Sequence, residues 1–243
     1  MDKLKELQDV IDHSQNIVFF GGAGVSTESN IPDFRSSNGV YSVTLGRHFS
    51  AEQLVSHTMF VRYPEDFFEF YKKYLLYPDA KPNAAHRYLA WLEQTGKLKA
   101  VVTQNIDSLH EMAGSKKVLK LHGSADRNHC TGCQRFYNLV AFLALEGPVP
   151  LCLDCGKVVK PDVTLYEEAL DMEVFSQAAR AIQEAELLII GGTSLVVYPA
   201  ASLIQYFHGK HLVVINKTNI PQDKQADLVI EGKIGQVFSQ LRQ

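Results

Sequence analysis

Residues 18–39, VFFGGAGVSTESNIPDFRSSNG, decide the fold. An apolar run ends in the small residues Gly21-Gly22-Ala23-Gly24, and the chain then becomes polar. A strand that leads into a glycine loop and a helix start is an arrangement in which backbone N–H groups bind phosphate. The loop lacks the lysine of a P-loop, and Thr27 stands where a dinucleotide fingerprint has its third glycine. Because Gly-x-Gly alone is a weak signal, a plain tight turn is the alternative interpretation.

Short apolar runs recur along the chain, and most of them are continuous rather than alternating. They cover Ile17–Phe20, Ala100–Thr103, Val118–Leu121, Leu187–Ile190, Leu212–Ile215 and Leu228–Ile230. Continuous runs are typical of strands that are buried on both faces. Helical patterns separate most of them, at Ala84–Gln94, Met172–Ala185, Ala200–Phe207 and Ile234–Leu241. This alternation predicts an α/β fold with a doubly wound, parallel, Rossmann-like sheet.

Two segments interrupt the alternation and are predicted to be insertions. Residues 40–80 carry aromatic-rich helical patterns, one of which begins with the capping-box pair Ser50 and Gln53. Residues 125–160 contain all four cysteines and few strand-like runs. The predicted organisation is a discontinuous Rossmann-like domain with two inserts. The domain comprises residues 1–39, 81–124 and 161–243, the helical insertion residues 40–80, and the cysteine module residues 125–160.

The cysteines form two pairs, Cys130-x-x-Cys133 and Cys152-x-x-Cys155, with 18 residues between them. This spacing is typical of a tetrahedral zinc site. Four thiolates fill the coordination shell and leave no position for water or substrate, so the zinc is predicted to be structural. A redox pair is the alternative, but it needs only one Cys-x-x-Cys. The small module at 125–160 is therefore predicted to bind zinc.

Composition narrows the possible partners. The chain has 243 residues, 46% hydrophobic residues and a formal net charge of −3. These values are ordinary for a globular protein and indicate neither a nucleic-acid-binding nor a membrane-binding surface. The amphipathic N-terminal pattern, MDKLKELQDVIDHSQ, does not resemble a signal peptide. A cytoplasmic location is therefore expected, in which structural disulfides are rare.

Polar residues follow two of the predicted strands. Thr103-Gln104-Asn105-Ile106-Asp107 ends one strand, and open α/β sheets bind ligands at such strand ends. The Gln and Asn amides can bind ribose hydroxyls and Asp107 can accept from a carboxamide, although Asn and Asp also start helices. His122 ends the next strand, where it is either a general base or an ordinary satisfied polar residue.

Asp33-Phe34-Arg35 lies shortly after the glycine loop. An arginine there offers a charged fork for phosphate, and a phenylalanine can cover a planar ring. Taken alone, these three residues are equally compatible with a surface charge pair and a core aromatic.

The motifs together resemble the sirtuins, the NAD-dependent protein lysine deacylases. The matching stretches are GAGVSTESNIPDFR, TQNIDSLHEMAG, LHGS, the two Cys-x-x-Cys pairs, GGTSLVVYPA and VVINK. They follow the family's order and extend from residue 16 to residue 235. The resemblance implies an NAD-binding Rossmann-like domain, NAD as co-substrate and one structural zinc.

The resemblance also implies roles for single residues. It places His122 as the general base and Asn105 as the residue that orients the nicotinamide ribose, together with Gln104. The implied cofactor-binding residues are Gly22, Ala23, Gly24, Thr27, Asp33, Phe34, Arg35, Gln104, Asn105, Ile106, Asp107, His122, Gly192, Thr193, Ser194, Asn216 and Ile234. Phe34, His122 and Val163 are the implied contacts to the acyl-lysine substrate.

The implied reaction is deacetylation of acyl-lysine in proteins or peptides. The acyl oxygen attacks the anomeric carbon of the nicotinamide ribose, nicotinamide leaves, and the acyl group moves to ADP-ribose after His122 removes a ribose proton. Mono-ADP-ribosylation within the same family is the nearest alternative. An NAD(P) oxidoreductase or a non-enzymatic zinc-ribbon adaptor would leave most of the motifs unexplained.

Three departures from the family pattern are visible. Asn30 stands where the family usually has glycine, and Asn tolerates a left-handed backbone. Glu167 also replaces a glycine, next to the predicted substrate residue Val163. The Tyr-x-x-Arg pair that holds acidic acyl groups is missing, because Tyr71 and Tyr74 have no arginine three residues later. This favours neutral acyl groups such as acetyl.

Overall fold

A computed structural model describes residues 2–34, 39–40 and 49–242. The strands are β1 (Ile17–Gly21), β2 (Leu98–Thr103), β3 (Val118–Lys120), β4 (Gly123–Cys130), β5 (Phe136–Asn138), β6 (Val159–Val163), β7 (Leu187–Gly191), β8 (His211–Asn216) and β9 (Leu228–Glu231). The α-helices are α1 (Lys3–His13), α2 (Ala51–Leu54), α3 (His57–Arg62), α4 (Pro64–Tyr74), α5 (Ala84–Gln94), α6 (Leu109–Ala113), α7 (Leu139–Leu143), α8 (Met172–Glu184) and α9 (Ile234–Phe238). Short 3-10 helices cover Ala23–Val25, Thr27–Ser29, Ala200–Tyr206 and Pro221–Lys224.

The main sheet has six strands in the order β3-β2-β1-β7-β8-β9, and neighbouring strands run parallel. Both β1 and β7 are buried along their whole length, as their continuous apolar sequences predict. Apolar clusters cover both faces of the sheet, one including Leu89 and Phe238 and the other Ile182 and Leu203. The doubly wound α/β prediction is confirmed. Because the strand order reverses between β1 and β7, a crevice forms at their carboxyl ends.

The predicted strands agree with the observed ones to within two residues, and α5 has the predicted bounds. Two helix predictions are wrong in type. The glycine loop leads into 3-10 helices, in which the N–H of Val25 donates to the carbonyl of Gly22 at 3.0 Å. Residues 200–206 also form a 3-10 helix, because both the N–H and the hydroxyl of Ser202 donate to the Pro199 carbonyl.

A second sheet, in the order β5-β4-β6, is antiparallel. It shares an apolar cluster with α4, whose aromatic side chains Phe67, Phe68, Phe70 and Tyr71 are fully buried. The aromatic helix is therefore part of a core. This sheet spans residues 123–163, which extends slightly beyond the predicted 125–160 module, and the division into domains stays a prediction. Among the described residues, helices that combine the length and apolarity needed to cross a bilayer are absent.

Candidate active site

A cavity of about 620 Å³ lies at the carboxyl edge of the main sheet. Its walls come from the loops after β1, β2, β3, β7 and β8 and from the end of β6. The predicted site residues that line it are Gly22, Ala23, Gly24, Thr27, Asp33, Phe34, Gln104, Asn105, Ile106, Asp107, His122, Val163, Gly192, Thr193, Ser194, Asn216 and Ile234. Arg35 lies outside the described residues. Segments far apart in sequence thus surround one space, whose size is typical of a ligand site.

The glycines after β1 and β7 allow two loops to pack backbone against backbone. The N–H of Gly24 donates to the carbonyl of Gly192 at 2.8 Å. A Cβ atom added at Gly24 would lie 2.7 Å from the Cα of Gly192, and one added at Gly22 would lie 2.8 Å from the Cβ of Thr193. Both glycines are therefore required by loop packing at the crevice, and the Gly24 amide is already hydrogen-bonded within the protein.

Ser26 connects the glycine loop to the loop after β2. Its hydroxyl donates to Asp107 Oδ2 at 2.9 Å and accepts from Asn105 Nδ2 at 3.0 Å. Ser26 is 1% exposed, so this chain of hydrogen bonds is shielded from water. Sequence reasoning missed Ser26, although it lies within the quoted motif, because a serine in a loop gives no signal of its own.

The Asp107 carboxyl is partly buried beside the cavity. Burial raises its pKa, while the Leu109 amide, the Ser26 hydroxyl and the Lys120 ammonium lower it. Asp107 Oδ1 accepts from the Leu109 N–H at 3.1 Å, so this residue also starts α6. The alternative helix-starting role is therefore present, and the ligand contact of Asp107 stays a prediction.

His122 is held by the loop that precedes Asp107. Its Nδ1 lies 2.8 Å from the carbonyl oxygen of Gln104, which can only accept, so we assign the proton to Nδ1. Nε2 is then the basic nitrogen. Burial lowers the pKa of His122, against the opposing effect of the Gln104 carbonyl. The imidazole is consequently neutral at neutral pH, the form that a general base requires.

Thr193 organises the loop after β7. Its N–H donates to Asn216 Oδ1 at 3.0 Å and its carbonyl accepts from Asn216 Nδ2 at 2.9 Å. Its hydroxyl accepts from Gln104 Nε2 at 2.9 Å. The amide of Asn216 therefore fixes the loop after β7, which adds a structural role to its predicted contact. Ile234 is 2% exposed and starts α9, whose Gly235 N–H donates to Glu28.

The four cysteine sulfurs lie within 4.8 Å of one another. The two closest pairs are Cys130–Cys155 at 3.3 Å and Cys133–Cys152 at 3.5 Å. Backbone N–H groups of Gly132 and Asp154 point at sulfurs, and the Tyr137 hydroxyl lowers the pKa of Cys152 to about 6. The Arg135 N–H lowers the pKa of Cys133, but hydrogen bonding to Cys152, together with burial and the other two cysteines, outweighs this and raises it to about 12, so the thiolate form is not favoured at every sulfur. Four sulfurs this close together fit tetrahedral zinc, in agreement with the prediction.

Comparison with known proteins decides the family. Residues 22–199 match the model of the Sir2 family. The chain belongs to the Sir2 family. Similar relatives include proteins named NAD-dependent protein deacetylase from Clostridium perfringens, with 59% identity over 99% of this chain and 98% of the relative, and from Staphylococcus epidermidis, with 41% identity over 98% and 96%.

Solved structures of Sir2 proteins superimpose closely on this chain. One is described as Sir2 with a p53 peptide and NAD+, with a TM-score of 0.85 and 37% identity over 97% of this chain and 95% of that chain. Another, described as Sir2 with a deacetylated p53 peptide and 3′-O-acetyl ADP-ribose, has a TM-score of 0.89 and 36% identity over 97% and 96%. The sirtuin resemblance predicted from the motifs is confirmed.

Both replacements of the Sir2-family glycines keep a left-handed backbone. Asn30 has φ 64° and ends the second 3-10 helix, as expected for an Asn. Glu167 has φ 76°, a conformation that costs a non-glycine residue free energy. Its carboxylate accepts from the N–H and the hydroxyl of Thr58 at 2.8 Å and 2.7 Å. In this Sir2 chain the side chain of Glu167 thus fastens the segment after β6 to α3.

Proposed function

We propose that this Sir2-family protein is an NAD-dependent protein lysine deacetylase. It moves the acyl group of an acyl-lysine to ADP-ribose and releases nicotinamide. The observation that carries the proposal is the shared cavity, in which a neutral His122 lies between the loops after β1, β2 and β7 and the end of β6. The deacetylase names of relatives with up to 59% identity over nearly the whole chain support it.

The residues around the cavity suit a dinucleotide. The cavity lies at the point where strand order reverses, which is where α/β sheets bind such ligands. Asp107 offers a buried acceptor for a carboxamide, and Ile106 and Phe34 offer apolar surface beside it. Thr193, Ser194 and Asn216 line the opposite end and are proposed to hold the adenosine half. When bound, NAD supplies an ADP-ribosyl group that the acyl oxygen attacks while nicotinamide leaves.

His122 and Asn105 are the proposed catalytic residues. The Gln104 carbonyl retains the Nδ1 proton of His122, so Nε2 can accept a proton from a ribose hydroxyl. Asn105 is 8% exposed and is oriented by Ser26, which leaves its carbonyl oxygen as the group for ribose.

The acyl-lysine peptide is proposed to bind along β6. This strand lies at one edge of the sheet β5-β4-β6, so its outer side can pair with an extended peptide. Val163 ends β6 at the cavity, and the following Thr164 N–H donates to the His122 carbonyl at 3.0 Å. The lysine side chain would therefore enter beside the general base. Among the described residues, none of those that line the cavity is an arginine, which favours neutral acyl groups.

The zinc held by Cys130, Cys133, Cys152 and Cys155 is proposed to be structural. Its four sulfur ligands leave no open position, so it takes no part in the reaction. A cytoplasmic location and the lack of nucleic-acid or membrane partners stay predictions from composition.

The test is a product analysis with purified protein, NAD and a peptide carrying one acetyl-lysine. We expect equal amounts of nicotinamide, deacetylated peptide and O-acetyl-ADP-ribose, measured by mass spectrometry. Omission of NAD and use of the unacetylated peptide are the controls. Labelled ADP-ribose attached to protein, with no acetyl transfer, would instead establish the ADP-ribosyltransferase alternative. Release of no nicotinamide from any acylated peptide would reject the proposal.

A further inference from the structure

Lys120 is a nearly buried cation between the segments that carry Asp107 and His122. It is the last residue of β3 and lies beside Thr103, the last residue of β2. Its side chain is 10% exposed. Long charged side chains are seldom buried to this extent unless several partners compensate them. The position and burial of Lys120 therefore call for a specific role.

The partners of Lys120 come from both loops that carry proposed catalytic residues. Its Nζ donates to Ser108 Oγ at 2.8 Å, directly after Asp107. It also donates to Ser124 Oγ at 3.3 Å, two residues after His122. The carboxylate of Glu111 on α6 lies 2.9 Å away and balances the charge. One ammonium group thus joins the loop after β2 to the start of β4, just after His122.

Two further hydrogen bonds join the same two segments of the chain, and both of them use backbone groups. His122 Nδ1 contacts the Gln104 carbonyl at 2.8 Å, and the Ala125 N–H donates to the Ile106 carbonyl at 3.0 Å. Lys120 is the partner that adds charge. Among the described residues, Lys120 and Glu111 are the charged groups that act on Asp107, and they act in opposite directions. The other groups that contact its carboxyl are the Ser26 hydroxyl and the Leu109 N–H.

We propose that Lys120 is a positioning residue, whose ammonium holds Ser108, next to Asp107, and Ser124, two residues after His122, in one hydrogen-bonded arrangement. The same charge lowers the pKa of Asp107 and so supports its ionised form, which can only accept hydrogen bonds and suits a carboxamide N–H donor. The inference rests on the proposed function in that the two loops serve the same reaction. The contacts themselves, and their effect on Asp107, do not depend on it.

The test measures titration of the Asp107 carboxyl by 13C NMR in the protein without NAD, with the signal assigned through Asp107→Asn. Burial already raises the pKa of Asp107, and Lys120 opposes this. Lys120→Met should therefore move the titration to higher pH, whereas Glu111→Gln should move it to lower pH. Lys120→Arg, which keeps the charge, should restore the midpoint toward that of the unmodified protein. Lys117→Met, an exposed lysine on the approach to the same strand, is the matched control and should leave the midpoint in place.

A second readout is the rate of nicotinamide release with acetyl-lysine peptide. We expect Lys120→Met to lower kcat/KM about tenfold, because misplacement of reacting groups is costly even when the groups remain present. The inference would be overturned if Asp107 titrated with the same midpoint in Lys120→Met as in the control Lys117→Met. It would also be overturned if Lys120→Met and Glu111→Gln moved that midpoint in the same direction. If Lys120→Met does not fold, Glu111→Gln decides alone, and an unmoved midpoint there rejects it. An inactive unmodified protein would reject the proposed function, while the NMR titration would still test Lys120.

Discussion

The main sheet and the cysteine module border the same cavity but are stabilised in different ways. Strands β1 and β7 are buried along their whole length between two apolar clusters. The cysteine module leaves large apolar side chains in solvent, including Val140, which is 78% exposed, and Leu153, which is 74% exposed. Part of the module packs into the apolar cluster that it shares with α4, and its four thiols are gathered at one point. One wall of the cavity therefore depends on hydrocarbon burial, whereas the other also depends on a metal site, so the two walls should respond differently to zinc removal.

The largest expected effect comes from zinc removal. Structural zinc sites contribute about 10–16 kcal/mol of apparent binding free energy, which acts as folding free energy. Chelation should abolish hydrogen-exchange protection across residues 123–163, together with deacetylase activity, while β1 and β7 stay protected. Mass-spectrometric hydrogen exchange with zinc analysis measures this, and added zinc should restore protection. Equal loss of protection in both sheets would contradict the comparison.

The next largest effect is expected at His122, which lies between the loops of the main sheet and the end of β6. His122→Ala should lower kcat by about 10²–10⁴-fold, the usual contribution of a general base. Because burial lowers the pKa of His122, its basic form persists below the ordinary pKa of 6.5. Activity should therefore be lost only as the pH falls through that lowered pKa, and a pH profile of kcat measures this.

His208→Ala is the matched control for this substitution, since His208 is exposed and does not line the cavity. Similar turnover in the two alanine variants would exclude His122 as the base. Melting temperatures of both variants separate a catalytic loss from unfolding.

A smaller effect is expected for the packing of the two glycine loops at the edge of the main sheet. Gly24→Ala should destabilise the protein by about 1–3 kcal/mol, because overpacking against rigid backbone forces the two loops apart. The contact concerned is the 2.7 Å approach to the Cα of Gly192. Gly232→Ala is the control, since its new methyl group meets only a Val237 side-chain carbon at 3.4 Å. Urea unfolding measures both, and equal free energies of unfolding would contradict the packing argument.

The smallest effect distinguishes the free-energy cost of a left-handed backbone from the stabilisation by a side-chain contact, at Gln134 and Glu167. Gln134→Gly relieves a left-handed residue, φ 61°, but adds the backbone entropy of glycine, so the two terms nearly cancel. Glu167→Gly makes the same exchange and also loses both hydrogen bonds from Thr58. We expect a lower melting temperature for Glu167→Gly than for Gln134→Gly, and a higher KM for the acetyl-lysine peptide. Identical melting temperatures would remove any role for the Thr58 contacts.

Much of this architecture was predictable from local sequence. The strands were found because continuous apolar runs have few alternatives in a globular protein, and α5 because Asn83 caps its first turn. That the described site residues would line one cavity was predictable because their motifs follow strands, and the carboxyl ends of parallel strands meet at one edge. Their roles toward NAD and the peptide stay predictions. Ser26 and Lys120 were missed, since a loop serine and a strand-end lysine have no pattern until their partners are known. The short 3-10 helices were missed because their stability comes from local bonds and tight loop packing rather than from periodicity.

The sequence by itself determined the elements, the four metal ligands and the family, because each depends on residues close together in the chain. Only the tertiary structure decided which loops touch. The backbone contact of Gly24 with Gly192, the link from Ser26 to Asp107 and the bridge made by Lys120 all join segments through space. Such contacts depend on the relative placement of strands, which local patterns do not specify.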